Sequence, residues 1–415
     1  MTMLAKITLL FVVFIDILGQ GLVFPIITSL VMESNSPILA PDTSASMRHV
    51  YFGLIIGIFF LAWFFGAPYV SKLSDVIGRK KAILICLIGA LVGYAITIAA
   101  LYIGSLFLLI LGRAITGFTA GNQPIAQAAM IDGSVDEDDR NRNMGFIITG
   151  VSFGLVGGPL IAGLTSDPLI LGNYANIQMP FYAALALCAV AVFMVIFFFE
   201  DKKDTDQAFK FRPAEVFDQL LKVRKYPLAF RLTIGLFFFH TANVTMYVFV
   251  DNYLATRFGF GTLGNSMVFL TIGAALAFSS TFMVLPVQKR FNKQTILIAT
   301  MCVWALSAAA FVMSPIAALA FVPIFTFYFI FGIAYPTILG LFAASVSDEE
   351  QGWIMGVTVA VFTFIAGIMS LLGGELMNID IRLPFYIVIA AALATIVVLK
   401  TVWNTPEVKK ITGAP

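Results

Sequence analysis

Three residues with ionisable side chains lie inside long apolar runs of the sequence: Asp16, Arg113 and His240. An ionisable group at membrane depth is costly and usually marks the path of an ion or a substrate. A carboxylate there can take up and release a proton, and an imidazole does so within the physiological pH range. These residue types therefore predict reversible proton binding, and we take all three as candidate proton-coupling residues.

Asp16 and Arg113 lie at one depth if their runs are helices that enter from opposite sides. Asp16 lies about 12 residues, or about 18 Å, into its run, and Arg113 about 8 residues, or about 12 Å, into its own. In a hydrocarbon core about 30 Å thick, both reach nearly the same level. We expect either a pair that protonation of Asp16 breaks, or a permanent ion pair that only fixes helix packing.

His240 belongs to a polar stripe with Asn243, Tyr247 and Asp251, which recur at helical spacing along one face. The imidazole is either a proton carrier or a neutral, hydrogen-bonded member of this stripe. Asp251 lies near the outer end of its run, as does Glu375 in a later one. For both carboxylates we expect a solvated position or one that lines a gate.

The composition defines the elements that must position these residues. Of the 415 residues, 60% are hydrophobic and 12% are charged, and the mean hydropathy is +0.96. Soluble domains are about half apolar and about a quarter charged, so an ordinary soluble enzyme is excluded. Because a span needs about 20 apolar residues, the apolar runs predict twelve transmembrane helices. They cover roughly 4–31, 49–71, 80–103, 105–131, 142–164, 179–199, 230–256, 262–287, 294–313, 315–343, 352–374 and 382–402.

The distribution of basic residues predicts the orientation of these spans. Of the 25 Lys and Arg residues, Arg48, Arg257 and Arg382 are the ones in loops on one side, Arg113 lies inside a helix, and the rest occupy the other side. Because basic loops stay in the cytoplasm, both termini are expected there.

A charged segment, about 200–229, divides the chain into two halves of six helices. The predicted domains are an N-terminal bundle (1–199), a cytoplasmic linker (200–229) and a C-terminal bundle with a short tail (230–415). Part of the linker, PAEVFDQLLKV, is amphipathic and predicts a short helix on the membrane surface. This layout is typical of secondary transporters, and the absence of a GxxxxGK[ST] stretch argues against ATP-driven pumping.

The turn between the second and third helices carries a charged motif, SKLSDVIGRKK, whose carboxylate and cations can form a hydrogen-bonded cluster at a helix end. The order D-x-x-G-R-K resembles the motif of the major facilitator superfamily, with Asp75, Gly78 and Arg79 matching and Ser71 and Val76 departing. The resemblance implies a twelve-helix, two-bundle fold. It also implies a cytoplasmic latch made by the matching residues and Asp132. The corresponding turn of the second half, VQKRFNKQ, lacks the Asp and the Gly.

The fifth helix carries small residues and a proline in the pattern G-x8-G-x3-G-P-x3-G. Such residues allow close helix packing, which is a sufficient explanation by itself. The string also closely resembles the motif of drug/proton antiporters in the same superfamily, which favours export. Its members are Gly145, Gly154, Gly158, Pro159 and Gly163.

The first helix matches the D-x-x-G-x5-P pattern of these antiporters through Asp16, Gly19 and Pro25. With the ends of helices 4 and 10, the chain resembles most the tetracycline/proton antiporter branch. That branch has acidic residues in the middle of helices 3 and 9, whereas the stretches around Gly93 and Val303 are uncharged here. The departure argues against tetracycline itself as the substrate.

By the same resemblance, helices 1 and 4 line a central cavity and the helix 4 arginine tunes proton affinity. Several polar residues on the predicted cavity helices are candidate substrate contacts, although each is also able simply to hydrogen-bond a neighbouring helix. They are Gln20, Asn122, Gln123, Asn243, Tyr247, Tyr328 and Tyr335.

The sequence thus predicts a multi-pass transporter of a bacterial cytoplasmic membrane that works by alternating access. We expect a monomeric, proton-coupled antiporter that exports a small amphipathic organic compound. Its partners would be that substrate, protons and the lipid bilayer, with no nucleic acid. The proton gradient would supply the energy without a cofactor or metal. A proton-coupled uptake symporter for a nutrient, metabolite or siderophore is the first alternative, and a non-transporting membrane sensor is the second. An enzyme is not expected, because the sequence has no nucleophile–base or metal constellation.

Overall fold

The computed structural model describes residues 1–33, 35–166, 168–200, 215–347 and 350–413, which are almost entirely helical. These residues contain no β-strand. The α-helices in chain order are α1 (Met3–Met32), α2 (Ala45–Ile77), α3 (Arg79–Ile103), α4 (Leu106–Phe118), α5 (Asn122–Asp132), α6 (Glu137–Ser166), α7 (Pro168–Leu171), α8 (Met179–Phe198), α9 (Glu215–Lys222), α10 (Pro227–Phe258), α11 (Thr262–Phe282), α12 (Val284–Arg290), α13 (Lys293–Met313), α14 (Ala317–Ala343), α15 (Gln351–Ile379), α16 (Leu383–Thr401) and α17 (Pro406–Thr412).

Eleven helices of the described chain are long and apolar enough to cross a membrane. They correspond to eleven of the twelve predicted spans. The remaining prediction, one continuous helix over 105–131, is wrong, because this stretch forms two shorter helices, α4 and α5. The fourth span is therefore broken within the bundle.

Two glycines with positive φ angles make the tight turns at either end of α3. Gly78, the glycine of the charged motif, has φ of 92° and separates α2 from α3, and Gly104 has φ of 72° and ends α3. Side chains other than glycine rarely adopt such angles. After Gly104, the Ser105 hydroxyl caps α4 by accepting a hydrogen bond from the Leu108 N–H, so α3 and α4 form a tight helical hairpin.

Several predicted helix ends differ from the structure by a few residues, and two of them lie at charged turns. The second span was predicted to end at residue 71, but α2 continues to Ile77, so Asp75 lies on the last turns of a helix rather than in a loop. A helix that leaves the hydrocarbon no longer needs apolar residues, and hydropathy therefore misses its end. The predicted span 262–287 ends instead at Phe282, and α12 begins at Val284.

The chain divides into two compact units, Met1–Arg212 with Phe260–Leu270, and Pro213–Gly259 with Thr271–Pro415. The predicted domain limits remain predictions. Residues 201–214 of the predicted linker lie outside the described residues, whereas α9 falls within the stretch for which the sequence predicts a short amphipathic helix.

Each unit has its own buried core. In the first, α1 packs along α6 and also contacts α5 and α8, which buries most of α1. In the second, the core of α10, α13 and α14 is rich in aromatic side chains, and Trp304 stacks on Phe327 with ring centroids 4.4 Å apart. The long buried face of α1 places Asp16 inside the first unit.

Candidate functional site

The break in the fourth span creates a helix N-terminus inside the first unit. After Phe118 the chain turns through Thr119–Gly121, and α5 begins at Asn122. Gly121 occupies the N-cap position, where it offers no side chain to the exposed N–H groups of the first turn. Pro124, which has no N–H, is readily accommodated in that turn. A partner from another helix is needed to complete the cap.

Asp16 of α1 supplies that partner. Its Oδ2 atom accepts a hydrogen bond of 3.2 Å from the Gln123 N–H, and the Asn122 side chain also hydrogen-bonds the carboxylate. A carboxylate is favoured at a helix N-terminus, where the helix dipole is positive. The membrane-embedded acid therefore holds the inner end of α5.

Arg113 of α4 lies near this acid but does not form the predicted ion pair with it. In the described residues no salt bridge within 4.0 Å includes either side chain. The guanidinium instead lies over the Phe59 ring, 4.2 Å from its centroid, and its Nε and Nη2 atoms have no hydrogen-bond partner there. Depth along the helices was predicted from the sequence, but the direction in which each side chain points was not.

Asp16 and Arg113 nevertheless line one small cavity, together with Gln20, Tyr94 and Asn122. Its volume is about 30 Å³, which holds roughly two water molecules. A drug-sized ligand needs about 300 Å³ or more. The cavity therefore suits protons and water and excludes an organic substrate. Nothing in the sequence pointed to Tyr94, whereas Gly121 and Pro124 were available signals for the break.

The second unit contains the other group of candidate residues, around His240 of α10. This imidazole is 1% exposed, and neither of its ring nitrogens has a hydrogen-bond partner among the described residues. Aromatic rings surround it, with centroids 5.3 Å away for Phe362 and 6.0 Å away for Tyr335. His240 is thus a buried polar group in an aromatic pocket, and it does not form the hydrogen bonds that were one of its two expected roles.

Further along the same face, Tyr247 lies 6.4 Å from Tyr328 of α14, measured between ring centroids. Asn243 Oδ1 and the Tyr328 hydroxyl are buried without a hydrogen-bond partner in the part of the chain that the structure describes. Asp251 is fully buried, which excludes the solvated position and leaves the gate-lining one as a prediction, whereas Glu375 is exposed. Helix α10 continues to Phe258 and packs against α15 and α16, so Asp251 lies on a packed part of the helix and not at its end.

The charged motif residues lie together at one end of the first unit. Arg79 contacts Asp75 through Nη1 at 2.6 Å and Asp132 through Nε at 3.2 Å, and its Nη1 also donates to the Ser74 hydroxyl at 2.6 Å. Gly78 makes the turn that brings Arg79 back towards α2. The cluster therefore joins the end of α2, the start of α3 and the end of α5.

The glycines of the motif in the fifth predicted span all lie in α6. Their surroundings differ. A Cβ atom at Gly154 would lie 2.8 Å from the Phe14 carbonyl oxygen of α1, and one at Gly158 would lie 2.5 Å from the Leu18 carbonyl oxygen. Gly163 faces Ser266 of α11, and Gly145 has nothing within 4 Å of that position. The middle of the motif is thus the contact surface between α6 and α1.

A second charged cluster was not predicted. The Asp139 carboxylate of α6 accepts hydrogen bonds from Lys6 at 2.7 Å, Arg142 at 2.8 Å and Asn143 at 3.3 Å. The hydrogen bonds from Arg142 and Lys6 hold the pKa of Asp139 well below its usual range. This cluster fastens the start of α1 to α6.

We expect Asp139→Asn to lower the thermal midpoint by about 2–4 °C at neutral pH. A depressed carboxyl pKa contributes stability above the unfolded-state value of about 4, and this contribution is lost as the pH falls through the native pKa. The difference from the wild type should therefore be constant between pH 5 and 8 and shrink below pH 4. Thermal scans against pH measure it, with exposed Asp42→Asn as the control. An equal shift in both variants would contradict the assignment.

The described residues include no group of three or more His, Cys, Asp or Glu side chains placed to hold a metal ion.

Known protein sequences are similar to this chain over most of its length. Residues 9–370 match the family described as Major Facilitator Superfamily. The chain is 27% identical over 367 residues to the class D tetracycline resistance protein of Salmonella ordonez, covering 86% of both chains. It is 25% identical to the quinolone resistance protein NorA of Staphylococcus aureus, covering 94% of both.

Solved structures show the same fold. The human organic anion transporter MFSD10 superposes with a TM-score of 0.71 at 17% identity, covering 95% of this chain and 99% of that one. A D-xylose-proton symporter gives 0.74 at 13% identity, covering 97% and 98%. The predicted resemblance, the all-helical membrane fold and a transport role rather than an enzymatic one are confirmed.

Proposed function

Because the chain belongs to the major facilitator superfamily, we propose that this multi-pass transporter of a bacterial cytoplasmic membrane exports a small amphipathic organic compound in exchange for protons. Alternating access of the two units to either side would carry the substrate across. The relatives named for resistance to tetracycline and to quinolones support export of an organic compound. The orientation, with both termini in the cytoplasm, rests on the distribution of basic residues.

One observation carries the proton-coupled part of the proposal: Asp16 lines a cavity of about 30 Å³ that it shares with buried Arg113. A cavity of this size admits water and protons but no organic molecule. Proton binding would therefore occur beside the substrate path, and Asp16 would be the proton-binding carboxylate. Arg113 would influence its protonation through the shared cavity.

The substrate contacts that we propose lie in two groups. In the first unit they are Gln20, Asn122 and Gln123, of which the last two also hold Asp16. Because Gln20 and Asn122 line the small cavity, they would meet the substrate only in a state of the transport cycle in which this cavity is wider. In the second unit they are the polar and aromatic side chains of the α10 stripe and of α14: His240, Asn243, Tyr247, Tyr328 and Tyr335. We place His240 with this group and not with the proton-binding residues, because it lies among aromatic rings with both nitrogens unpartnered. An amphipathic molecule with a ring and a polar group would suit these side chains.

Tetracycline itself fits the chain poorly. Gly93, in the part of α3 where the tetracycline antiporter branch has an acidic residue, packs against Gly112 and Thr116 of α4. There is no space for a side chain at that contact, so α3 offers no acidic group to a substrate at this position. We propose a different aromatic or amphipathic compound as the substrate.

Proton movement in proteoliposomes that contain a pH-sensitive dye tests the proposal. Candidate amphipathic drugs, metabolites and siderophores are added outside. For the antiporter, substrate entry should make the lumen alkaline in the wild type and not in Asp16→Asn. Acidification of the lumen would instead establish the uptake symporter. No substrate-dependent proton movement with any compound, despite high-affinity binding of one of them, would favour the sensor.

We also propose that the Arg79 cluster is a conformational latch. Asp75 is 60% exposed as a side chain, so its ion pair contributes only about 0–1 kcal/mol to overall stability. Asp75→Asn should therefore leave the melting temperature nearly unchanged while it shifts the balance between inward-open and outward-open states.

Cysteine accessibility on both faces measures that balance, in a Cys302→Ser background because Cys302 is exposed. The matched control is Glu407→Gln, which removes another exposed ion pair, that with Arg231 at 3.4 Å. Identical accessibility in the two variants would count against the latch.

A further inference from the structure

Helix α5 is a short, rigid element whose two ends are both held by carboxylates. It has 11 residues and is therefore about 16 Å long. At its start the Gln123 N–H donates to Asp16, and at its end Asp132 pairs with Arg79. The proton-binding carboxylate and the charged motif are thus the two attachments of one helix.

The attachment at the start depends on the charge of Asp16. Gly121 provides no side-chain cap, and the carboxylate of Asp16 takes its place. An ionised carboxylate forms stronger hydrogen bonds with backbone N–H groups than a neutral acid does, and it is also favoured by the positive end of the helix dipole. A proton on Asp16 therefore weakens the cap.

The attachment at the end depends on Arg79. A carboxylate at the last residue of a helix lies at the negative end of the dipole, which is unfavourable unless a cation compensates it. Arg79 is that cation, and it is shared with Asp75 and Ser74. The ammonium group of Met1 adds a hydrogen bond to the Gly133 carbonyl just beyond the helix. Movement of α5 would therefore change the partners of Arg79 directly.

We infer that α5 transmits the protonation of Asp16 to the Arg79 cluster. Protonation releases the first turn of α5, the helix moves as a unit, and the Asp132–Arg79 contact loosens at the other end. The inference rests on the proposed proton coupling for its physiological trigger. The linkage itself rests on the two observed contacts and on the continuous helix between them.

Among the titratable groups near Asp16, Arg113 is the one that carries a charge at neutral pH. The titratable side chains that face Asp16 or interact with it are Tyr94 and Cys86 from α3, Arg113 from α4 and Cys188 from α8. The tyrosine and the thiols are ordinarily neutral near pH 7. A change of charge at Asp16 therefore acts on the start of α5 and on Arg113.

Hydrogen exchange of the full-length protein in nanodiscs, read by mass spectrometry, tests the linkage. In Asp16→Asn the amide keeps the hydrogen bond from the Gln123 N–H but loses the negative charge at the start of α5. We expect the amides of Ile125–Asp132 to exchange about fivefold faster, because an anion at a helix N-terminus stabilises the helix by about 1 kcal/mol. Asp132→Asn should accelerate exchange in the same segment. Because both variants release one helix, the double variant should exchange less than the product of the two single effects.

Two controls keep the result interpretable. Glu407→Gln removes an exposed carboxylate in the second unit and should leave α5 unchanged. If Asp16→Asn fails to fold, the wild type at pH 5 and pH 8 replaces it, with exchange in α5 divided by exchange in α16 to cancel the intrinsic pH effect. That ratio should be higher at pH 5.

The outcomes separate this inference from the proposed function. Unchanged exchange in α5, or independent effects of the two single variants, would overturn the linkage even if proton-driven transport depends on Asp16. Coupled changes in α5 without any proton-driven transport would support the linkage and overturn the proposed function.

Discussion

Replacement of Asp16 by asparagine is expected to abolish proton-driven transport while the protein still folds. The carboxylate is the proton-binding group that we propose for the small cavity, and no other acid lines it. An amide of the same shape still accepts a hydrogen bond from the Gln123 N–H, but it cannot take up a proton. Concentrative export driven by an imposed pH gradient should fall to the level of empty liposomes. Substrate exchange without a gradient should persist, since it requires no net proton movement.

The control for this variant is Glu375→Gln, which neutralises an exposed carboxylate at the end of α15. It should transport like the wild type. Size-exclusion profiles and melting temperatures establish that both variants are folded. Full concentrative transport by Asp16→Asn would remove Asp16 from the coupling mechanism, and a second buried carboxylate, Asp251, would become the acid to test.

Replacement of Gly158 by alanine is expected to impair folding and transport severely, although it adds a single methyl group. The new Cβ would lie 2.5 Å from the Leu18 carbonyl oxygen and 2.8 Å from the Leu22 nitrogen. Both are backbone atoms of α1, so no side chain can rotate away, and α1 and α6 must separate. Overpacking of this kind costs about 1–3 kcal/mol. It also displaces Asp16, half a turn before Leu18, from the cavity.

Gly145 provides the matched control, because a Cβ there meets nothing within 4 Å and lies in the same helix. Gly145→Ala should match or slightly exceed the wild type in stability, since alanine favours helices by about 1 kcal/mol over glycine. Melting temperatures and transport rates of the two variants, measured side by side, test whether the α1–α6 contact at Gly158 tolerates an added methyl group. Equal behaviour of the two would mean that the α1–α6 contact is loose enough to move.

The spans were predictable from the sequence because lipid forces backbone hydrogen bonds into helices and apolar side chains outward. The break in the fourth span was missed although Gly121 and Pro124 signal it, because hydropathy registers apolar residues such as Ile115 and Ile125 on either side and not a change of backbone direction. Gly78 was identified through its motif, and the structure gives the reason, a turn with positive φ. The partner of Asp16 could not be predicted, because hydropathy gives depth without rotation about the helix axis. A backbone N–H as partner has no signature in the sequence.

The break in the fourth span also affects how the chain enters the membrane during synthesis. Neither α4, with 13 residues, nor α5, with 11, is long enough to cross a bilayer by itself. The second half of the fourth span, α5, also carries the polar residues Asn122, Gln123 and Asp132, which resist insertion into the membrane. The tight turn at Gly104–Ser105 and the contacts of Gly93 with Gly112 tie α4 to α3. We therefore expect the fourth span to enter the bilayer as one arm of a hairpin with the third, and its second half to reach its final position once it can pack against α1 and α6.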